Sequence, residues 1–215
     1  MKSKHESICG CVKFIPDRPR ELVSGGYDTA LLHFDYYEGK PLSTRKIPPY
    51  QVVGGMALSP PFIVSIAISS TGIIAAGTAD GRLMIGCGGY KAPKGKDSGG
   101  KKKRSRKWDG LDNDEEVVTK IAEGPLVALT FEGSNILTIS TLLGVMTRYE
   151  VVYDYDEGSV TLDKIWEQET QSVKKVNALV VDENRVIVGG LTSEGKGVIE
   201  IWKKDVVMSP ENGEK

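Results

Sequence analysis

One pattern recurs four times along these 215 residues: an apolar run, a turn rich in glycine, and a second apolar run that closes on an aromatic residue in three of the four copies. A unit of this size cannot bury its own apolar face, so each copy must stack on its neighbours, and the repeat decides the architecture before any single residue does. Chemistry specific to this chain therefore belongs on the edges of the repeats and in whatever interrupts them.

The first copy reads Glu21-Leu-Val-Ser-Gly-Gly-Tyr-Asp28 and then Thr29-Ala-Leu-Leu-His-Phe34-Asp35. In the second, Val64-Ser-Ile-Ala-Ile precedes Gly72-Ile-Ile-Ala-Ala-Gly-Thr-Ala-Asp80-Gly81-Arg-Leu-Met-Ile85. Its Gly-Thr-Ala-Asp-Gly between two apolar runs predicts a tight hairpin. The third runs from Leu126 to Phe131 and from Asn135 to Tyr149-Glu150, and the fourth from Val176 to Val181, Arg185 to Gly190 and Val198 to Trp202-Lys203. Tyr149-Glu150 stands where Phe34-Asp35 stands in the first copy.

The pattern resembles the WD-repeat β-propeller family over nearly the whole chain outside one insertion. The resemblance implies an all-β, WD40-type propeller in which each repeat is a four-stranded antiparallel blade. It also implies a blade-stabilising hydrogen-bond chain, for which His5, Ser24, Asp28 and Phe34 occupy the four family positions. Phenylalanine has no N–H, so the last link of that chain is missing. Later copies depart further, with Ala76 at the Ser position, Gly86 at the Trp position and Leu143 at the Asp position, so those blades must rely on packing.

Seven blades of roughly 40 residues would need about 280, whereas 215 residues hold four units and an insertion. The expectation is four blades of a seven-bladed ring, with repeats one and two in 1–87, an insertion in 88–116, repeats three and four in 117–204 and a tail in 205–215. An unclosed arc of this kind would expose strand edges and blade faces that favour association. Hydrophobic residues make up 40% and charged residues 27%, with a net charge of -1, an ordinary globular balance that predicts no global attraction to nucleic acid or membrane. The opening residues have no signal-peptide pattern, and the apolar runs are strand-sized, which places the expected location in the cytoplasm, the nucleus or both.

The insertion carries Lys101, Lys102, Lys103, Arg104, Arg106 and Lys107, followed by Trp108-Asp109 and the acidic residues up to Glu116. Low hydrophobicity and blocks of opposite charge predict a solvated loop joining the second unit to the third. Its basic run has three readings: a plain flexible insertion, a nuclear-import signal, or a patch that contacts nucleic-acid phosphates. No aromatic residues interleave with the basic ones, which weakens the last. Trp108-Asp109 looks like a blade-ending pair but lacks the apolar strand before it.

Three cysteines, at 9, 11 and 87, read as small structural residues in a reducing compartment, because no second Cys/His pair accompanies Cys9-Gly-Cys11 to complete a zinc site. His33 alternates with apolar neighbours within a strand and His5 is claimed by the blade, so no histidine is left as an obvious general base. There is no phosphate loop and no nucleophile elbow. The chain is read as a non-enzyme with no cofactor, metal or small-molecule substrate.

Two functions follow. The first is a protein-interaction scaffold, with Arg18, Arg20, Tyr27, Tyr36 and Tyr37 as contact residues because exposed aromatic and guanidinium groups anchor interfaces. Family members that recruit substrates to ubiquitin ligases carry Trp-Asp-x-Arg at a blade end. Phe34-Asp-Tyr-Tyr37 and Trp202-Lys-Lys-Asp205 both lack that arginine. The second is a nuclear RNA- or chromatin-associated factor that uses the Lys/Arg insertion.

Overall fold

The computed structural model describes residues 4–49, 60–89, 108–111, 116–154 and 159–204. Alternating or continuous apolar runs, punctuated by turn glycines, become fifteen antiparallel strands among these residues. The first sheet contains β1 (Cys9–Ile15), β2 (Arg18–Gly26), β3 (Ala30–Asp35) and β4 (Lys40–Lys46) in that order. The second contains β5 (Ile63–Ile68), β6 (Ile74–Thr78), β7 (Arg82–Gly86) and β8 (Glu116–Lys120). In the third are β9 (Leu126–Glu132), β10 (Ile136–Thr141), β11 (Val145–Asp154) and β12 (Ser159–Glu169), and in the fourth β13 (Lys175–Val181), β14 (Arg185–Leu191) and β15 (Gly197–Lys203).

The position of β8 corrects the expected place of the insertion. Glu116 pairs with Gly86 and Lys120 with Arg82, so β8 is the outer strand of the second sheet and the interrupting segment lies inside that sheet, between its third and fourth strands. Val117, Val118 and Thr119 look like the start of the third unit in sequence, yet their half-buried pattern is that of a rim strand.

The sheets stack side by side, and the first strand of each packs on the first strand of the next: β1 on β5, β5 on β9, β9 on β13. Because successive strand residues point to opposite faces, the second and third sheets each serve two neighbours. Val23 and Leu31 join Ile63, Ile66, Ile74 and Met84 between the first two sheets. Ala75, Leu83 and Ile85 meet Leu129, Leu137, Ile139 and Tyr149 between the second and third. Met146 and Ala128 meet Val176, Leu179 and Val188 between the third and fourth.

Polar links supplement these apolar seams. Arg45 on β4 donates through Nη2 to Glu116 Oε1 at 2.8 Å, tying the two outer strands together. Glu132 accepts from Arg148 at 2.9 Å and from Lys204 at 2.6 Å, tying the third sheet to the end of the fourth. Glu200 accepts the backbone N–H groups of Gln171, Ser172 and Val173, which fixes the connection entering β13.

Two backbone devices recur at equivalent places. The pairing of each first and second strand skips one residue, Gly10, Val64, Val127 and Asn177 in turn, so a bulge bends every inner strand at the same height. In the turns between second and third strands, Thr29, Gly81 and Gly144 take φ of 64°, 83° and 93°. Only Thr29 bears a side chain in that left-handed region, which disfavours a β-branched residue.

Candidate functional site

The first sheet concentrates the residues singled out in the sequence. At the turn between β2 and β3, His5 stands between Asp28 and Ser24: Nδ1 lies 3.0 Å from Asp28 Oδ1 and Nε2 lies 2.8 Å from Ser24 Oγ. A carboxylate only accepts, so Nδ1 carries the proton, and in the neutral ring Nε2 accepts from the Ser24 hydroxyl. The two ends of this pair are 3% and 5% exposed, so water hardly competes. Burial pushes the Asp28 carboxyl upward, but the Glu6 N–H, the His5 ring and the Ala30 N–H outweigh it and hold the group below its ordinary value. Phe34, with Ala30 and Leu32, is buried and belongs to an apolar cluster.

The opposite end of the same sheet carries a second group. Asp35 Oδ1 accepts the N–H groups of Tyr37 and Glu38 at 2.9 and 3.0 Å, which fixes the turn between β3 and β4 and holds Tyr36 and Tyr37 outward at 44% and 74% exposure. The Tyr36 N–H donates to Arg20 O at 3.0 Å, bringing the Arg20 side chain beside the turn. Its guanidinium lies 4.7 Å from the centre of the Tyr37 ring. Phe14 on β1, which sequence alternation hides among the strand residues, meets Tyr36 edge to face at 6.0 Å. Arg20, Tyr36, Tyr37 and Phe14 thus form one exposed aromatic and cationic patch, with the amphipathic chemistry that supplies interface anchors.

Two expected contact residues do not join it. Arg18 is 8% exposed and donates to Glu21 Oε1 at 2.9 Å, while Glu21 Oε2 accepts from His33 Nε2, also at 2.9 Å. Drawn into that network, Arg18 is a seam residue, because a buried guanidinium needs its carboxylate. Tyr27 lies in the β2–β3 turn, at the far end of the strands from Tyr36, and stacks on Phe62 at 5.1 Å.

The insertion also departs from expectation. The basic residues Lys101 to Lys107 lie outside the described residues. Trp108 and Leu111, read in sequence as solvated loop, are 1% and 5% exposed and belong to the core between the first two sheets. Trp108 Nε1 donates to Gly72 O at 3.0 Å, and His33 meets the ring at 4.9 Å. The ring fits only because its surroundings lack side chains: a Cβ added at Gly89 or Gly110 would lie 2.0 Å from it. Desolvation of a large aromatic surface, with its one donor satisfied, explains why Trp108 joins the core.

The cysteines are less uniform than expected. Cys9 is exposed, Cys11 half-buried and Cys87 buried. Burial pushes the Cys11 thiol up to about 12, which leaves it protonated and unreactive at neutral pH. Among the described residues no group of three or more His, Cys, Asp or Glu side chains could hold a metal ion, and no helix is long and apolar enough to cross a membrane.

No protein-family model matches the sequence. Solved structures do match the fold. The structure of U3-55K aligns with 92% of this chain and 53% of its own length at a TM-score of 0.57 and 14% identity. The WD40 repeats of RRP9 align with 92% of this chain and 52% of their own length at a TM-score of 0.56 and 13% identity. The chain therefore spans about half the length of the solved domains it matches. Its antiparallel sheets, stacked through their first strands, have the fold of a WD40-type β-propeller.

Proposed function

We propose that this chain is a non-catalytic protein-interaction scaffold, an adaptor within a larger complex, and that a partner protein docks on Arg20, Tyr36 and Tyr37 with Phe14 behind them. The observation that carries this reading is the exposed pair of tyrosines held outward by the Asp35 turn, with a guanidinium over one ring. Aromatic and arginine side chains presented on a rigid strand end supply contact area at small loss of side-chain freedom. The segments Ser24-Gly-Gly-Tyr-Asp28 and Phe14 to Arg20 resemble the C-terminal half of WD-repeat protein 53, and the scaffold role is in keeping with that likeness. Replacing Tyr36 and Tyr37 by Ser tests it in a quantitative pull-down from nuclear and cytoplasmic extracts. The expected result is at least a tenfold weaker retention of the partner with an unchanged melting midpoint, about the effect of losing one interface hot spot. Unchanged retention would contradict it.

A second reading has its own observation. Trp108, which directly follows Lys107 in sequence, is sunk in the core between the first two sheets. A basic run of this composition suits a nuclear factor whose lysines and arginines contact nucleic-acid phosphates or an import receptor. Neutral replacements at Lys101, Lys102, Lys103, Arg104, Arg106 and Lys107 separate the cases. Loss of RNA or DNA retention at low salt favours the nucleic-acid role, and loss of nuclear signal alone favours import.

A further inference from the structure

Arginine side chains are matched to carboxylates in this fold, with one exception. Among the described residues Arg18 pairs with Glu21, Arg45 with Glu116, Arg82 with Asp80, Arg148 with Glu132 and Arg185 with Asp182. Arg20 is the remaining one, and its partner is the Tyr37 ring instead of a carboxylate. The acidic side chains of the adjoining strand and turn are engaged elsewhere. Glu21 takes Arg18 and His33, Asp35 takes the Tyr37 and Glu38 N–H groups, and Glu38 lies 3.7 Å from Lys40. A guanidinium that lies over an aromatic ring still has the planar N–H fork that a carboxylate accepts in two parallel hydrogen bonds, and its weak hydration makes the exchange of water for that carboxylate easy. The patch is also held in place before any partner arrives. The Tyr36 N–H donates to Arg20 O and the Asp35 turn fixes Tyr37, so little freedom is left to lose on binding.

We propose that the docking partner presents a single Asp or Glu carboxylate to Arg20, with an apolar side chain close beside it against the Tyr36 and Tyr37 rings. This partner chemistry rests on the docking role of the patch and specifies what the partner must bring to it. Charge complementarity limits the partner to one acid. The turn beside Arg20 itself carries Asp35 and Glu38, and its own cation, Lys40, already faces Glu38. A run of acidic residues would be brought against those two carboxylates, and like charges placed together across an interface oppose docking. A nucleic-acid backbone calls for a row of cations along its phosphates, where the turn offers one free guanidinium. One carboxylate in an apolar setting matches both the single charge and the aromatic surface around it.

Phage display of short random peptides against the full chain supplies the probe, and fluorescence anisotropy of a selected peptide measures its affinity. The selected sequences are expected to share one Asp or Glu close to an aromatic or aliphatic residue. Arg20→Gln should weaken the peptide by at least about tenfold, and Arg20→Lys, which keeps the charge without the planar fork, should weaken it by a smaller factor. Replacing the acid of the peptide by its amide should weaken binding to the wild type by the same factor and have no further effect on Arg20→Gln, because the two changes remove one contact. Losses that multiply when the two changes are combined would overturn the pairing, as would selected peptides that lack an acid or a nuclease-sensitive nucleic acid held by Arg20 in their place. The double substitution Tyr36→Ser, Tyr37→Ser separates this pairing from the docking site itself. Peptides that bind it as tightly as the wild type contradict the site, whereas peptides that need the tyrosines but are indifferent to Arg20→Gln keep the site and overturn the carboxylate.

Discussion

At the scale of single residues, the His5, Asp28 and Ser24 chain turns the entry to the first blade into a hydrogen-bonded corner. Because Asp28 accepts from two backbone N–H groups and a ring N–H while nearly excluded from water, Asp28→Ala should destabilise the fold by roughly 2 kcal/mol, the range for hydrogen bonds to a charged group. The sign of its pH dependence follows from its lowered pKa. A depressed carboxyl contributes stability that is present above its unfolded value and is lost as pH falls through the folded one, so the wild type should lose stability below about pH 4. Glu200, which burial pushes up and the Gln171, Ser172 and Val173 N–H groups hold down, acts in the same direction. Urea titrations between pH 7 and 3 should show a shallower acid loss in Asp28→Asn than in the wild type, and equal slopes would contradict this. Thr29 offers the reverse test. With φ of 64° where the equivalent turns carry glycine, Thr29→Gly should gain about 1 kcal/mol in the same titration despite the entropy of glycine.

At the scale of elements, Trp108 shows what the sequence concealed. The four repeat units were legible because each second strand and turn carries its own apolar run and punctuation, from Glu21 to Asp28 through Arg185 to Gly190. The insertion hides its core residue because its composition is that of a solvated loop on both sides of one tryptophan. What buries Trp108 is distributed over Gly72, Gly89, His33 and Gly110, so no local window contains the signal. Trp108→Ala would leave a cavity between the first two sheets and should lower stability by about 3 to 5 kcal/mol, measured by calorimetry. The inner-strand bulges were equally hidden. Gly10, Val64, Val127 and Asn177 do not share one residue type, and the bulge recurs because each inner strand must bend at one height to meet its neighbours.

At the scale of the whole molecule, stacking assembles sites that the linear order scatters. Arg20, Tyr36 and Tyr37 meet because the starts of β2 and β4 share one end of the first sheet, which a strand reading can anticipate. Arg18, which a regular strand would place on the same face as Arg20, instead donates to Glu21 where the β1–β2 register shifts between Phe14 and Ile15, and Tyr27 lies in the turn at the other end. Phe14 completes the patch from a strand whose apolar residues look in sequence like core. One end of the first blade should therefore act as a docking point, while the outer strand of the third blade, where Ile165 is 48% exposed, should not. Photo-cross-linking from a benzoylphenylalanine placed at Tyr37 or at Ile165 tests that claim most directly. Within cells, the position of Tyr37 should yield a discrete partner adduct that Arg20→Ala weakens and the position of Ile165 should not, whereas adducts of equal intensity from both, or from Ile165 alone, would contradict it.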